Sequence, residues 1–439
     1  MRNLWPRVAV LACLTGAAAA QTVPTGPTAA TGPTAPTVPP APAPEQQRTA
    51  CGDPDPDRAI AACTLLIEAG VIAAPAAREA PADLAAAYLN RGFAYFKQAH
   101  YAAAIQDFDH AILLNPSDAL AFNDRGIAYA RQGDDARAIA DYTAAIRLKP
   151  DYGDAIFNRA LAYERQQHDD EALADYDEAV RLDPNDGNIY SNRGLIYASK
   201  GQYDRAIEDY DRAIRLRPDD AGPLTNRGNA YRLLGQFDRA IADYDRAIEL
   251  APDNAPDKAP DKATDKAIAF FGRGNAFMGQ GQYDRAIADY DHAILADPDF
   301  ATAFNNEGLA YRTKGQYDRA IQDFDQAIRL RPDDARAFNN RGNAYADKGQ
   351  YDRAIEDYNR AVQLDPTYAF AFNNRGLAYA NKGQFARAVQ EYNEAIRLAP
   401  AYALAFDNRG RALRSQGQAE AAAADFAKAR QLNPKLPPP

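Results

Sequence analysis

Ser191 to Pro218 reads SNRGLIYASKGQYDRAIEDYDRAIRLRP. A small residue, Gly194, is followed by an aromatic, Tyr197, and then by Ala206, Tyr210, Ala213 and a closing Pro218. The pattern returns with a 34-residue period, and its copies end at Pro116, Pro150, Pro184, Pro218, Pro252, Pro298, Pro332, Pro366, Pro400 and Pro434. Self-similarity at such a period marks stacked units that share one continuous core. It therefore outranks the prior of about three domains that length alone would suggest.

Numbering each unit from one to thirty-four puts the small residue at place eight, which is Gly in nine units and Ala160 in the third. Places twenty and twenty-seven are alanine in every unit (Ala104 to Ala422, Ala111 to Ala429), and place twenty-four is always aromatic, from Phe108 to Phe426. Glycine inside a helix costs about 1 kcal/mol relative to alanine, so its recurrence needs compensation. Close approach of two antiparallel helices supplies it. The alanines let the second helix approach the first, and rings at places four, eleven and twenty-four fill the space around the crossing. Proline at place thirty-two stops the second helix. A residue just beyond, as in Asp219-Asp220, can cap the next one.

This constellation resembles the tetratricopeptide repeat: bulky at four, small at eight, Tyr at eleven, Ala at twenty, aromatic at twenty-four, Ala at twenty-seven and Pro at thirty-two. Ten copies in register carry the resemblance from Leu84 to Pro434. It implies an all-α chain of helix-turn-helix units stacked into a right-handed superhelical solenoid, with an inner groove for extended protein segments. The expected function is a protein–protein interaction scaffold without catalysis. The rival reading is a module for an envelope glycan or another non-protein ligand.

In the family, places five and six line the concave face. Place six is Asn90, Asn158, Asn192, Asn226, Asn306, Asn340, Asn374 and Asn408, and place five adds Asn305, Asn339 and Asn373. The column is similar to the asparagine ladder of O-linked N-acetylglucosamine transferase. An amide both donates and accepts, so a row of amides can hold a peptide backbone without reading its sequence. Alternatively, each asparagine ties its own repeat together by local hydrogen bonds. The Lys and Arg set with which the family clamps chaperone tails is not found, and Arg336 alone does not make it.

Place seven departs from the family. It is Arg in nine units, as in Arg193 and Arg341, and place twenty-three is acidic in all ten, as in Asp209 and Asp357. The spacing predicts a ladder of Arg–carboxylate pairs bridging helices or neighbouring units. The seventh unit breaks it with Glu307 facing Asp323. On the outer helices, Glu208 with Arg212 and Asp211 with Arg215 have the spacing of i,i+4 pairs, worth a few tenths of a kcal/mol.

The flanks read differently. Residues 1–20 form a secretory signal: Arg2 and Arg7, an apolar Val8–Leu14, and Ala18-Ala19-Ala20 as the cleavage site. The apolar run is too short to span a bilayer, so no stable membrane insertion is expected after cleavage, and Cys13 follows Arg7 too closely for a lipid-attachment signal. Residues 21–50, rich in Pro, Thr and Ala, make a disordered spacer. Residues 57–67 echo Asp204 to Ile214, a second helix without its first, with Cys63 in the place of Tyr210. We read 51–83 as a half-repeat cap in which a Cys51–Cys63 disulfide staples the missing partner across it, and the expected compartment is the periplasm or the exterior. Ala251 to Lys266 writes one tetrapeptide four times, a twelve-residue insertion (about 253–264) that is either a floppy turn or a hinge between half-arrays. In the last unit Ala419 and Arg430 replace apolar residues, which suits a terminal cap, and residues 435–439 form a tail.

The formal charge of −10 argues against a nucleic-acid partner, which needs clustered Lys and Arg. His100, His110, His168 and His292 have no metal-ligand spacing, and no serine sits in a nucleophile turn. No catalytic residue, metal or cofactor is expected, and the partner is a protein or peptide.

Overall fold

The structure is a computed structural model in which residues 49–73, 80–251 and 265–436 are described. The expected signal, nearly all of the expected spacer, the insertion and the last residues of the tail lie outside them. Every regular element among the described residues is α-helical, and the architecture is an all-α helical-repeat solenoid.

The chain divides into two compact units, Met1–Leu216 and Arg217–Pro439. In the first, α1 (Pro56–Ala73) precedes four helix pairs: α2 (Ala80–Lys97) with α3 (Tyr101–Leu114), α4 (Ala119–Arg131) with α5 (Asp135–Leu148), α6 (Gly153–Arg165) with α7 (Asp169–Leu182), and α8 (Gly187–Ser199) with α9 (Tyr203–Leu216). The second holds six: α10 (Ala221–Leu233) with α11 (Phe237–Leu250), α12 (Asp265–Gly279) with α13 (Tyr283–Ala296), α14 (Ala301–Thr313) with α15 (Tyr317–Leu330), α16 (Ala335–Asp347) with α17 (Tyr351–Leu364), α18 (Ala369–Asn381) with α19 (Phe385–Leu398), and α20 (Ala403–Ser415) with α21 (Ala419–Leu432).

The place-eight glycines lie under the place-twenty-four rings. A Cβ on Gly126, Gly194 or Gly342 would stand 2.7 Å from the Cε1 of Tyr142, Tyr210 or Tyr358. The rings and the alanines at places twenty and twenty-seven are buried throughout. Place ten adds a third buried alanine, as at Ala128, Ala230 and Ala344, which the sequence reading did not use. Between the helices of each pair the chain turns through a left-handed residue. Most pairs use glycine there, but the first and third use Ala99 and Gln167.

Helix starts follow two rules. Asp118, Asp186, Asp220 and Asp334 cap the following helix with a carboxylate that accepts from its first N–H groups. Where Phe300 or Tyr402 stands instead there is no side-chain cap, and the ring packs on the preceding first helix, 4.9 Å from Phe271 and from Phe370 respectively. One expected outer-face pair does not form. Arg212 lies 5.9 Å from the ring of Tyr190 and donates to the carbonyl of Pro184, away from Glu208.

The insertion does not interrupt packing. Gly272 on α12 leaves no room for a Cβ beneath Tyr244 on α11, and the Gln280 amide donates to Asp238 at 2.7 Å. The division between compact units comes one repeat earlier, after Leu216. Ahead of the pairs, α1 lies against α2, and Cys51, Cys63 and Ile67 form a small core with Ala87. The Cys51 and Cys63 sulfurs stand 2.00 Å apart.

Within the second unit each first helix also touches the first helix of the next pair, from α10–α12 through α18–α20. The second helices make no comparable contact with one another. Elements that meet across a pair lie on the shorter side of a curved stack, so the first helices line its concave face.

Candidate functional site

The expected asparagines lie on these first helices, and most are tied to a neighbouring repeat. The Nδ2 of Asn340, Asn374 and Asn408 donates to the Oδ1 of Asn305, Asn339 and Asn373, at 2.9, 3.0 and 2.9 Å. Each bond joins place six of one repeat to place five of the repeat before it. Asn158 does the same to Asn123, a residue the sequence reading passed over, at 3.2 Å. Asn306 donates to Asn275 at 2.8 Å. Bonds inside a repeat also occur, from Asn305 to Asn306 and from Asn373 to Asn374. The amides thus serve stacking between repeats as well as within them.

This bonding sorts the column by what is left for a ligand. Asn374 donates to both Asn339 and Asn343 and accepts from Asn373, so its hydrogen-bonding capacity is nearly spent. Asn192, Asn339, Asn373 and Asn408 are buried. Asn226 and Asn340 are half-buried, and Asn340 keeps one donor proton and its Oδ1. Asn90 is exposed, its amide 3.9 Å from the Cys51 sulfur.

Sequence reasoning missed the asparagines at place nine. Asn229, Asn275 and Asn343 accept from the buried hydroxyls of Tyr244, Tyr290 and Tyr358 at 2.8, 2.9 and 2.8 Å. The available signal was their pairing with Tyr at place twenty-four, whereas Leu309 accompanies Phe324 in the seventh repeat. In the fourth repeat place nine is Leu195, and the Tyr210 hydroxyl is buried with no partner. A stranded buried hydroxyl costs about 1–3 kcal/mol. Tyr210→Phe is therefore expected to stabilise the fourth repeat by about 1 kcal/mol, read as slower amide exchange in α8 and α9.

The arginine ladder is present. Arg91, Arg125, Arg159, Arg193, Arg227, Arg273, Arg341 and Arg409 each place two nitrogens on both oxygens of the place-twenty-three Asp, at 2.6–2.9 Å. Arg375 holds one oxygen of Glu391 with both nitrogens. A further nitrogen often reaches back to place twenty-five of the preceding repeat, as Arg125 to Asp109, Arg193 to Asp177 and Arg341 to Asp325. Each such guanidinium bridges two helices and two repeats. Burial pushes the carboxyls of Asp141, Asp209 and Asp357 upward, and their arginines pull them back only in part. The short paired bonds identify these groups as ion pairs.

Beside the amides the concave face carries apolar residues. Phe370, Leu377 and Leu404 are 44, 43 and 43 % exposed. Phe370 and Leu377 are seven residues apart on α18, and Leu404 repeats the place of Phe370 one unit later. Tyr368 and Tyr402 flank Phe370, with ring centroids 6.1 and 4.9 Å away.

Profiles described as TPR repeat match residues 168–201, 194–235, 308–349 and 342–383. Others described as tetratricopeptide repeat match 89–153, 223–254, 271–322 and 369–402. The chain belongs to the tetratricopeptide-repeat family. Among solved structures, this tetratricopeptide-repeat protein is similar to MamA, with 27 % identity over 37 % of this chain and 95 % of that one and a TM-score of 0.34. YrrB, described as a TPR protein with an unusual peptide-binding site, matches at 27 % identity over 45 % and 96 % of the chains, TM-score 0.36. A tetratricopeptide repeat protein from Parabacteroides merdae matches at 20 % identity over 60 % and 99 %, TM-score 0.48. No curated protein matches the chain. Among the described residues of the tetratricopeptide-repeat protein, no helix is long and apolar enough to cross a membrane and no cluster of His, Cys, Asp or Glu is arranged to hold a metal ion.

Proposed function

We propose that this protein is a non-catalytic scaffold that holds extended segments of other proteins on the concave face of its first helices. The observation that carries this reading is the exposed trio Phe370, Leu377 and Leu404 on α18 and α20, in a row of first helices that also carries the half-buried amide of Asn340 on α16. Apolar anchors supply affinity, and amides with spare capacity can bond an extended backbone. The same reading makes Asn90, Asn158, Asn192, Asn226, Asn305, Asn306, Asn339, Asn340, Asn373, Asn374 and Asn408 the polar column of the face. Asn226 and Asn340 are its half-buried members with hydrogen-bonding capacity to spare. The basic, apolar and small-residue order of residues 1–20 supports export to the periplasm or exterior with cleavage after Ala20. Two cysteine sulfurs at bonding distance suit an oxidising compartment.

Crosslinking in the exported fraction would identify the bound segment, and a synthetic peptide of that segment would then be titrated against the full chain. The combined change Phe370→Ala and Leu404→Ala is expected to weaken binding about tenfold or more, with melting unchanged. Asn226→Ala should act in the same direction more weakly, and Asn374→Ala should lower stability instead. Retention of a polymeric glycan and no peptide would overturn the reading.

A further inference from the structure

Nine of the ten pairs carry arginine at place seven; the seventh carries Glu307. This side chain does not turn outward to escape its neighbours. Glu307 is 4 % exposed. It stands where the sibling Arg341 reaches place twenty-three of its own repeat and place twenty-five of the one before, and in this pair those places are Asp323 of α15 and Asp291 of α13. Ionised carboxylates carry no donor, so any hydrogen bond among these three groups requires a proton. Asp323 Oδ2 is buried and has no hydrogen-bond partner. Three carboxyl groups from three consecutive helices thus converge where the sibling repeats hold a guanidinium.

The other titratable and charged groups facing the cluster do not neutralise it. Tyr311 on the same helix and Tyr290 on α13 are neutral phenols near it, and Arg319 on α15 acts on Asp323. The Arg319 guanidinium itself lies 5.4 Å from the Tyr311 ring.

We propose that Glu307, Asp291 and Asp323 hold a proton between them, and that its loss loosens the seam between the sixth and seventh helix pairs. Burial, then Asp323 and Asp291, push the Glu307 carboxyl up to about 9. Burial and Asp291 push Asp323 up to about 7, against Arg319. An acid raised in the closed state keeps a proton that the opened state has released. The seam is therefore tightest in mild acid and weakens as pH rises from the ordinary carboxyl range towards about 9, above which nothing further is lost.

Amide exchange in the full chain, corrected for the intrinsic rate at each pH, tests this. The Glu307 proton held only by the closed seam makes the opening constant of α13–α15 rise at least tenfold per pH unit between 6 and 8, more steeply below about 7 where Asp323 also keeps one. Helices α16 and α17, joined by Arg341 and Asp357, serve as the internal control and should show no such slope. Glu307→Arg supplies the guanidinium of the sibling repeats and should abolish the slope. Glu307→Gln keeps the shape and should at least halve it. Equal slopes in the two regions of the unaltered chain, or a slope unchanged in Glu307→Gln, would overturn the proposal.

Discussion

Asp175→Ala is expected to destabilise the third helix pair by about 3 kcal/mol, seen as roughly hundredfold faster amide exchange in α6 and α7. The loss comes from what the change leaves behind. Arg159 gives two nitrogens to Asp175 at 2.8 and 2.7 Å, and its remaining hydrogen bond is to the neutral hydroxyl of Thr143 at 3.1 Å. The Arg159 and Asp175 side chains are 18 and 10 % exposed, so the stranded guanidinium has little access to water. A buried ion pair stabilises weakly against an apolar replacement, but removing one partner costs several kcal/mol. The double change Arg159→Met with Asp175→Ala should therefore recover most of the loss. If the double variant is as unstable as the single one, packing dominates at this position. Asp209→Ala should cost less, because Arg193 keeps Asp177 at 2.7 Å.

Gly342→Val is expected to cost a further large amount, about 3 kcal/mol, for a steric reason. A Cβ there would lie 2.7 Å from Tyr358 Cε1 and 3.0 Å from Cδ1, so the ring must shift slightly for a Cβ and much further for the two γ-methyls of valine. Tyr358 is 1 % exposed, and its hydroxyl is fixed on Asn343. Alanine should be far milder than valine, since the third repeat already accommodates Ala160 at this place beside Tyr176. Local exchange in α16 and α17 would report both variants, and a valine variant as stable as the alanine one would contradict the close-packed reading. Calorimetric melting of the whole array is a poorer measure, because repeat arrays depart from two-state behaviour.

How far residues alone lead is seen by setting Arg193 beside Asn340. Arg193 and Asp209 are sixteen residues apart, and so are Arg193 and Asp177 on the other side. In a stack of identical hairpins such fixed offsets become fixed distances, so the ladder could be anticipated from spacing, including its interruption at Glu307. The asparagine column was legible as a column but not as a set of bonds. Whether Asn340 meets Asn305, a ligand or its own backbone depends on rotamers and on how closely repeats stack, which a period does not encode. The Tyr358–Asn343 contact was hidden because place nine is Asn in only three units, apolar in most others and Arg411 in the last, so it carries no mark in any single unit. The tetrapeptide insertion stood out as a break in the period, yet α11 and α12 on either side of it still meet through Gly272 and Tyr244.

The two-sided reach of each place-seven arginine has a consequence for how such a chain can lengthen. Arg125, Arg193, Arg273 and Arg341 each bring a cation for an acid group of the preceding unit, whereas Arg159, Arg375 and Arg409 find the neutral oxygens of Thr143, Asn359 and Asn393 there. A duplicated 34-residue segment with arginine at place seven and an acid at place twenty-five would find partners at both ends, with no second change needed elsewhere. A duplication that copied the unit containing Glu307 would instead propagate the defect, and on this ground the ancestry of the array should favour copying from the arginine-bearing units.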